Sequence, residues 1–447
     1  MPTYPSGAVL PAGSANMLDG TDPNIRFTDA TGTFKFRLLG GEMPWPGIQD
    51  GIICTEWPRN LSPGFKHLDL QAAQQDGVTW TATVYDPAEV ILPLQAHGNT
   101  PQAISKVVSD WIAAWDPKNP GLLEYFTFDR GYWYCQARLS KIWQDQIKQS
   151  PRRHLRQKLT HALRIDSAFW QSIKSTSTFG FNYQTQTVTL TATTTLTYSG
   201  QTTGSISGST TAATVQADLI ALSNIGTGDV TVAGATGGPF TVTFPTSGTI
   251  GTSAALLTAS HAKVSPITTG FVPLTNIGDQ DGWPSYLCYG PGIFAFANGP
   301  GSSSMITLGT AASPILDNQV VLITTMPRLR SVVDLTPNLP TQALTGVQTF
   351  LEQLIDLISG VSGTLTVGET QASSGVPPLL QWFESLFGIK PPQGNLYALL
   401  NGRFTNPIPG VPQPFMASES YIPVSITNGN ANSQIVASVT PQRRWPE

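Results

Sequence analysis

Few side chains in this sequence have the types and spacings that chemistry needs. Glu42, Asp50 and Glu56 lie close to Trp45 and Trp57, and two carboxylates beside aromatic platforms are the minimum for glycoside hydrolysis. Any tryptophan-rich domain offers such neighbours, so these read as solvated loop carboxylates. The stretch Gly204 to Gly208 approximates the glycine-flanked serine of a hydrolase nucleophile elbow, with Ser207 as the nucleophile. An elbow needs a buried strand before that serine and a helix directly after it, whereas Ser207 sits in a Thr/Ser/Gly linker. His67, His97, His154, His161 and His261 show no metal-ligand spacing such as HExxH. Cys54, Cys135 and Cys288 are odd in number and form no CxxC pair, and read as buried free thiols. No P-loop and no strand-to-helix GxGxxG is present. The sequence therefore predicts no catalytic, cofactor-binding or metal-binding residues, and a protein that is not an enzyme.

The basic run Arg152, Arg153, Arg156, Lys158 and Arg164 alternates with Leu155, Leu159 and Leu163. It fits helix and strand templates alike. Without interleaved aromatic residues it reads as a solvated face or a subunit contact rather than a nucleic-acid site.

Composition narrows the class further. At 447 residues the chain exceeds what one core organises, which implies two to four domains. Only 12% of residues are charged, about half of the roughly 25% usual for soluble proteins. Such depletion fits large surfaces buried against neighbouring subunits. A net charge of -4 argues against general polyanion binding, so no sequence-specific nucleic acid is expected. The segment before Thr28 has neither a basic n-region nor an apolar run long enough for a signal peptide or a span. Synthesis in a reducing cytoplasm and no membrane insertion are the resulting expectations.

Composition also changes along the chain. From Thr176 to Ala262 the only charged residues are Asp218 and Asp229, whereas eight of the eleven tryptophans precede that stretch. Val78, Trp80, Ala82 and Val84 alternate with threonines at the strand period. Ile104, Val107, Val108, Trp111, Ile112 and Trp115 make one apolar helix face, with Thr100 as N-cap, Pro101 at the first position and Pro117 as the stop. Strands at 122–128 and 132–139 follow around a turn at Asp129 to Gly131. Thr187 to Tyr198 reads as one long strand, Gly200 to Gly208 as a linker, and Ala213 to Leu222 as a helix leading into strands at 229–232 and 240–244. Short strands at 285–289, 293–298, 305–308, 319–324, 421–426 and 434–439 favour a sandwich. Between them, Leu344, Val347, Leu351, Leu354, Ile355 and Ile358 form an amphipathic helix, and a second helix covers 378–387. No Lys or Arg occurs from Ser331 to Ile389, so an anionic membrane surface would repel this segment.

The run Trp80 to Pro87, the helix before Trp115 to Pro117, Phe126 to Trp133 and Ala168 to Trp170 together resemble the distal tail proteins of long-tailed phages. The likeness is strongest to minor tail proteins of phages of mycobacteria and related actinobacteria. Trp283 to Gly292, Asn318 to Ile323, Pro327 to Ser331 and Thr440 to Glu447 extend the resemblance over most of the chain. It implies a mainly β, multidomain fold: an extended N-terminal arm (1–28), a ring-forming, barrel-like β domain with one helix (29–170), and a galectin-like β-sandwich (171–200, 263–338 and 395–447). A small inserted α+β module (201–262), similar to one recurring in phage minor tail proteins, and a helical insertion (339–394) would interrupt the sandwich. The implied role is a structural virion protein at the distal end of the tail, a homo-hexameric hub. The tail tube protein would lie above it, tip or tail-associated proteins below, and DNA would pass through its ring. The alternative expectation is a module binding host surface glycan, and a lesser one is a glycan depolymerase.

Overall fold

A computed structural model describes residues 23–40, 43–71, 76–141, 150–327, 329–336 and 396–446. Among these residues the fold is mainly β, built from several antiparallel sheets with few helices. Glu42, Trp143 and the helices expected at 341–358 and 378–387 lie outside the described residues.

The first sheet combines β1 (Asn24–Thr28), β2 (Lys35–Leu39) and β3 (Gly51–Cys54) with strands that follow a separate hairpin, β4 (Phe65–Leu70) and β5 (Thr79–Tyr85). Those are β6 (Ala88–His97), β7 (Gly121–Thr127), β8 (Gly131–Leu139) and β9 (Arg156–Ile165), in the order β2-β1-β7-β8-β9-β6-β3. Its two edge strands, β2 and β3, approach each other, so the sheet curls into a nearly closed barrel. β6 and β9 pair along ten residues with strict alternation: Val90, Leu92, Leu94, Leu159 and Leu163 point inward. That register settles the basic run. Arg156, Lys158 and Arg164 face outward on a strand, and Arg152 and Arg153 lie in a short helical turn, Pro151–His154.

Helix α1 (Pro101–Ala113) closes the core as its sequence predicts. Thr100 accepts the Ala103 amide at 3.1 Å, and Pro101 occupies the first turn, where its missing N–H costs nothing. Its buried face delivers Trp111, and just past its end Trp115 stacks on Phe27 at 3.8 Å between ring centroids. Trp111 also meets Phe36 edge-on at 4.8 Å. The expected arm at 1–28 is corrected in part, because residues 24–28 are a strand whose Ile25 and Phe27 are fully buried.

A two-residue strand, β10 (Trp170–Gln171), leads into the second half. There follow β11 (Ser175–Gly180), β12 (Thr185–Leu190), β13 (Leu196–Tyr198), β14 (Gln201–Thr202), helix α2 (Ala212–Ile220), β15 (Thr231–Gly234), β16 (Phe240–Thr243), β17 (Thr258–Ala259) and the long β18 (Ala262–Thr275). The chain then forms β19 (Ser285–Tyr289), β20 (Ile293–Ala297), β21 (Met305–Leu308), β22 (Val320–Thr324), β23 (Ser331–Asp334), β24 (Leu400–Asn401), β25 (Glu419–Thr427), β26 (Gln434–Val439) and β27 (Gln442–Arg443). Two sheets, β11-β26-β19-β22-β23 and β15-β16-β12-β18-β25-β20-β21-β24, share a core that includes Tyr286, Phe294, Phe296, Val424 and Ile435. Gly270 faces inward on β18, and the Phe179 ring fills the space where a side chain would be.

A third core gathers Val188, Leu196, Tyr198, Val215, Leu219, Phe240, Val242 and Phe244. It overturns two expectations drawn from the sequence. The single strand expected over Thr187 to Tyr198 is broken: the Thr191 and Ala192 amides turn onto the His261 carbonyl, and the chain moves from β12 to β13 in another sheet. The linker expected at 200–208 contributes β14, and Ile206 is fully buried. Strand pairing also runs across the boundary expected at residue 201, because β16 hydrogen-bonds to β12 and extends the large sheet. Asp229 ties the loops of this unit together by accepting from Gly226 N and from both the amide and the hydroxyl of Thr249. Those bonds hold its pKa below the ordinary carboxylate value.

Candidate assembly surface

The β4–β5 hairpin stands apart from every other sheet. Asp86 N donates to the Gly64 carbonyl at 2.8 Å, Lys66 pairs with Asp86 at 3.1 Å, and Tyr85 meets Phe169 edge-on at 5.0 Å. These contacts root the ribbon and leave its length uncovered. The register sets Leu68 opposite Ala82 and Lys66 opposite Val84, with a bulge at Leu68/Asp69 before Asp69 meets Trp80. All six residues of β4 are exposed, Leu70 to 65%, and on β5 Trp80, opposite Asp69, is exposed to 62%. Phe65, Leu68 and Val78 are also exposed, so apolar side chains stand uncovered on both faces of the ribbon.

A two-stranded ribbon is marginal by itself, and its two unpaired edges invite pairing with another chain. Covering Phe65, Leu68, Leu70 and Trp80 would release roughly 5 kcal/mol or more of transfer free energy. Polar side chains stand between the apolar ones: Lys66, His67 and Asp69 on β4, and Thr79, Thr81, Thr83 and Tyr85 on β5. His67 Nδ1 lies 3.0 Å from Thr83 Oγ1, and Trp80 Nε1 donates to the same hydroxyl at 3.1 Å. The hairpin thus leaves large apolar side chains uncovered among polar ones.

A second uncovered feature lies along α1, a groove of about 580 Å³ floored by Ile104, Val108 and Ile112 and rimmed by Ser105 and Arg152. Arg152 Nε donates to Ser105 Oγ at 2.8 Å and fixes that rim.

In the body that carries these surfaces, strand pairing joins the first and second halves. β10 pairs with both β8 and the C-terminal β27, so Trp170 lies opposite Arg443. The Arg443 guanidinium is buried 5.6 Å from the Trp133 ring centroid and donates to the Pro412 carbonyl. Arg444 bridges to Asp279 at 3.0 Å. The segment Thr440 to Pro446, marked in the sequence only as a motif, is a clasp between two cores.

The residues considered for chemistry are dispersed and structurally engaged. Asp50 accepts the Asn99 amide at 2.6 Å, and Glu56 pairs with Arg59 at 2.6 Å. Ser207 shares hydroxyl contacts with Ser209 at 3.0 Å and Thr210 at 3.4 Å, in a turn that follows an isolated bridge and precedes α2 by several residues. His161 accepts from Trp111 Nε1 at 3.3 Å inside the first core, and burial pushes its pKa down to about 4. Burial also lowers the His97 pKa. Cys54, Cys135 and Cys288 are buried free thiols, and burial raises the Cys54 pKa to about 12. Among the described residues no group of His, Cys, Asp and Glu is arranged to hold a metal ion, and no helix is long and apolar enough to cross a membrane. Sequence reasoning found the strand periodicity of the hairpin but not its exposure.

No protein-family model and no curated protein matches the chain. Among solved structures it is similar to the SPP1 Dit (gp 19.1) protein, described as a paradigm of hub adsorption apparatus in Gram-positive infecting phages. That likeness has a TM-score of 0.38 and 7% identity, covering 94% of this chain and 98% of that one. It is also similar to a chain of the phage P2 baseplate in its activated conformation with Ca, with a TM-score of 0.32, 10% identity, and 95% and 99% coverage. A third is the phage p2 baseplate in its activated conformation with Sr, with a TM-score of 0.30, 10% identity, and 92% and 98% coverage. These are loose likenesses of layout.

Proposed function

We propose that the chain is a structural protein of a phage tail tip, a distal tail hub of the kind its sequence motifs resemble, and that it works by assembly rather than by catalysis. The observation that carries this reading is the β4–β5 hairpin, a ribbon that exposes Phe65, Leu68, Leu70 and Trp80 and is separate from a body whose own cores are complete without it. In this reading six copies close head to tail into a ring, each hairpin lying against the next subunit. A heterologous contact of that kind uses two different surfaces, and the apolar groove along α1 supplies a receiving surface of suitable size. The tail tube protein would sit above the ring and tip proteins below, with DNA passing through the hole unread. Low charge density serves this arrangement, since buried subunit surfaces disfavour unpaired charges.

Light scattering after size exclusion, with negative-stain images of the same fractions, tests the reading. A six-fold ring that falls to monomers in a Leu68→Ser, Trp80→Ser variant is the expected result. A wild-type monomer at high concentration, behaving like the variant, would remove self-assembly through this surface.

A further inference from the structure

Asparagine is a poor strand former, yet Asn24 opens β1, on the face opposite to the one from which Ile25 and Phe27 fill the first core. A residue on that outer face would ordinarily meet water. Asn24 is instead only 6% exposed, and its Oδ1 is buried with no hydrogen-bond partner. Gly40 accounts for part of the cover. With φ at +96° it lies so close to the Pro23 and Asn24 backbone that a Cβ would stand 3.0 Å from Asn24 Cα. Buried polar atoms are almost always paired, so this orphaned acceptor marks a place for a donor from outside the chain.

Strand register surrounds that acceptor with a small pocket. Asn24 lies opposite Phe126 and Phe126 opposite Tyr132, while one step along the face Arg26 lies opposite Glu124. Among the described residues these five line a pocket of about 190 Å³ over β1, β7 and β8. The Tyr132 hydroxyl donates to Glu124 Oε1 at 2.8 Å. Burial and then that bond raise the phenol pKa, so the tyrosine stays protonated and its proton stays on Glu124 as a donor. One oxygen of Glu124 is thus engaged, and its charge is offset by Arg26 on the neighbouring strand. The lining holds one cation and one anion, and carries no net charge.

We propose that this pocket binds a primary carboxamide, the group that an Asn or Gln side chain of a protein partner presents. A carboxamide N–H donates to Asn24 Oδ1, and its carbonyl takes a donor from the same amide or from the Arg26 guanidinium, which carries five N–H groups. Having both a donor and an acceptor, the ligand complements the Asn24 amide whichever way that amide is turned. Its aliphatic stem lies on the Phe126 ring. A carboxylate would set acceptors against Asn24 Oδ1 and Glu124, and an ammonium would meet Arg26, so a charged ligand suits a neutral lining poorly. The pocket lies on the first sheet and not on the β4–β5 hairpin, so it stands or falls apart from the hub reading.

Saturation-transfer NMR on the full chain tests it, using butyramide and N-acetylglutamine N-methylamide, with butyrate, butylammonium and N-acetylalanine N-methylamide as comparison probes. Transfer to the methylene protons of both carboxamides is expected, weakened about 3- to 10-fold by Asn24→Leu. Glu124→Gln keeps an acceptor for Tyr132 and leaves Arg26 without its counter-charge, so it should raise butyrate transfer relative to butyramide by about 3-fold or more. Thermal melting checks that each variant is folded, and Glu124→Gln carries the test should Asn24→Leu not fold. Phe415→Ala, at an exposed residue outside the pocket, should leave every transfer unchanged. No transfer from either carboxamide, equal transfer in wild type and folded Asn24→Leu, transfer from a charged probe alone, or an unchanged preference in Glu124→Gln would overturn the proposal. Transfer from butyramide without the blocked glutamine would assign the pocket to a free small amide and overturn the protein partner.

Discussion

β5 and β12 are written in nearly the same alphabet. Thr79–Tyr85 reads Thr-Trp-Thr-Ala-Thr-Val-Tyr and Thr185–Leu190 reads Thr-Gln-Thr-Val-Thr-Leu, each alternating threonine with a second set of side chains. In β12 that second set is buried: Val188 is 0% exposed beneath α2, and Gln186 is equally covered. In β5 the corresponding Trp80 stands in solvent. Away from a bulge such as the one at Leu68/Asp69, alternation fixes which side chains share a face, and it says nothing about whether that face is covered. One ribbon is finished within its own chain; the other is left for a partner.

The comparison can be pressed with substitutions on either side. On the covered side, Phe240→Ala should be the most damaging change, about 3–5 kcal/mol by chemical denaturation, because the third core is close-packed around that ring. Next comes Gln186→Leu. Its Nε2 donates to the Tyr183 and Ala255 carbonyls, and its Oε1 accepts from Leu257 N, each at 2.8 Å. Leaving these groups without partners should cost about 3 kcal/mol.

Buried His161 adds a pH test of what a covered face entails. Its folded pKa, about 4, lies below the unfolded value, so the unfolded chain binds the proton first as pH falls. Stability should be fully present above about pH 6.5 and be lost toward pH 4. Between pH 7 and pH 5 the loss is about 2 kcal/mol, and His161→Leu should flatten that part of the profile. On the uncovered side, Trp80→Ser should change monomer stability by no more than about 0.5 kcal/mol while reducing self-association. Should Trp80→Ser unfold the monomer as Phe240→Ala does, the hairpin would be covered within its own subunit and the contrast would fail.

Local features were legible from the sequence. The Thr100 cap and Pro101 start of α1 act through bonds within one turn, and the structure places them as expected. The limits of β19, β21 and β26 agree with the short strands read from the sequence between Gly, Pro and turn residues. The break between β12 and β13 was not legible, because the carbonyl that turns the chain belongs to His261, some seventy residues away. The clasp at Arg443 was hidden for a similar reason: its partners Trp170, Trp133 and Pro412 come from distant parts of the chain.

By itself the sequence determined a mainly β chain with one well-capped helix in its first half and few charges. These properties depend on composition and on neighbours a few residues apart, which act on the backbone wherever the segment lies. Only the tertiary structure decided that Trp111 is core and Trp80 is surface, that β16 extends the large sheet, and that Asn24 is buried on the outer face of β1. Burial and pairing depend on which distant segment arrives on a face, and the period of a strand carries no record of its cover.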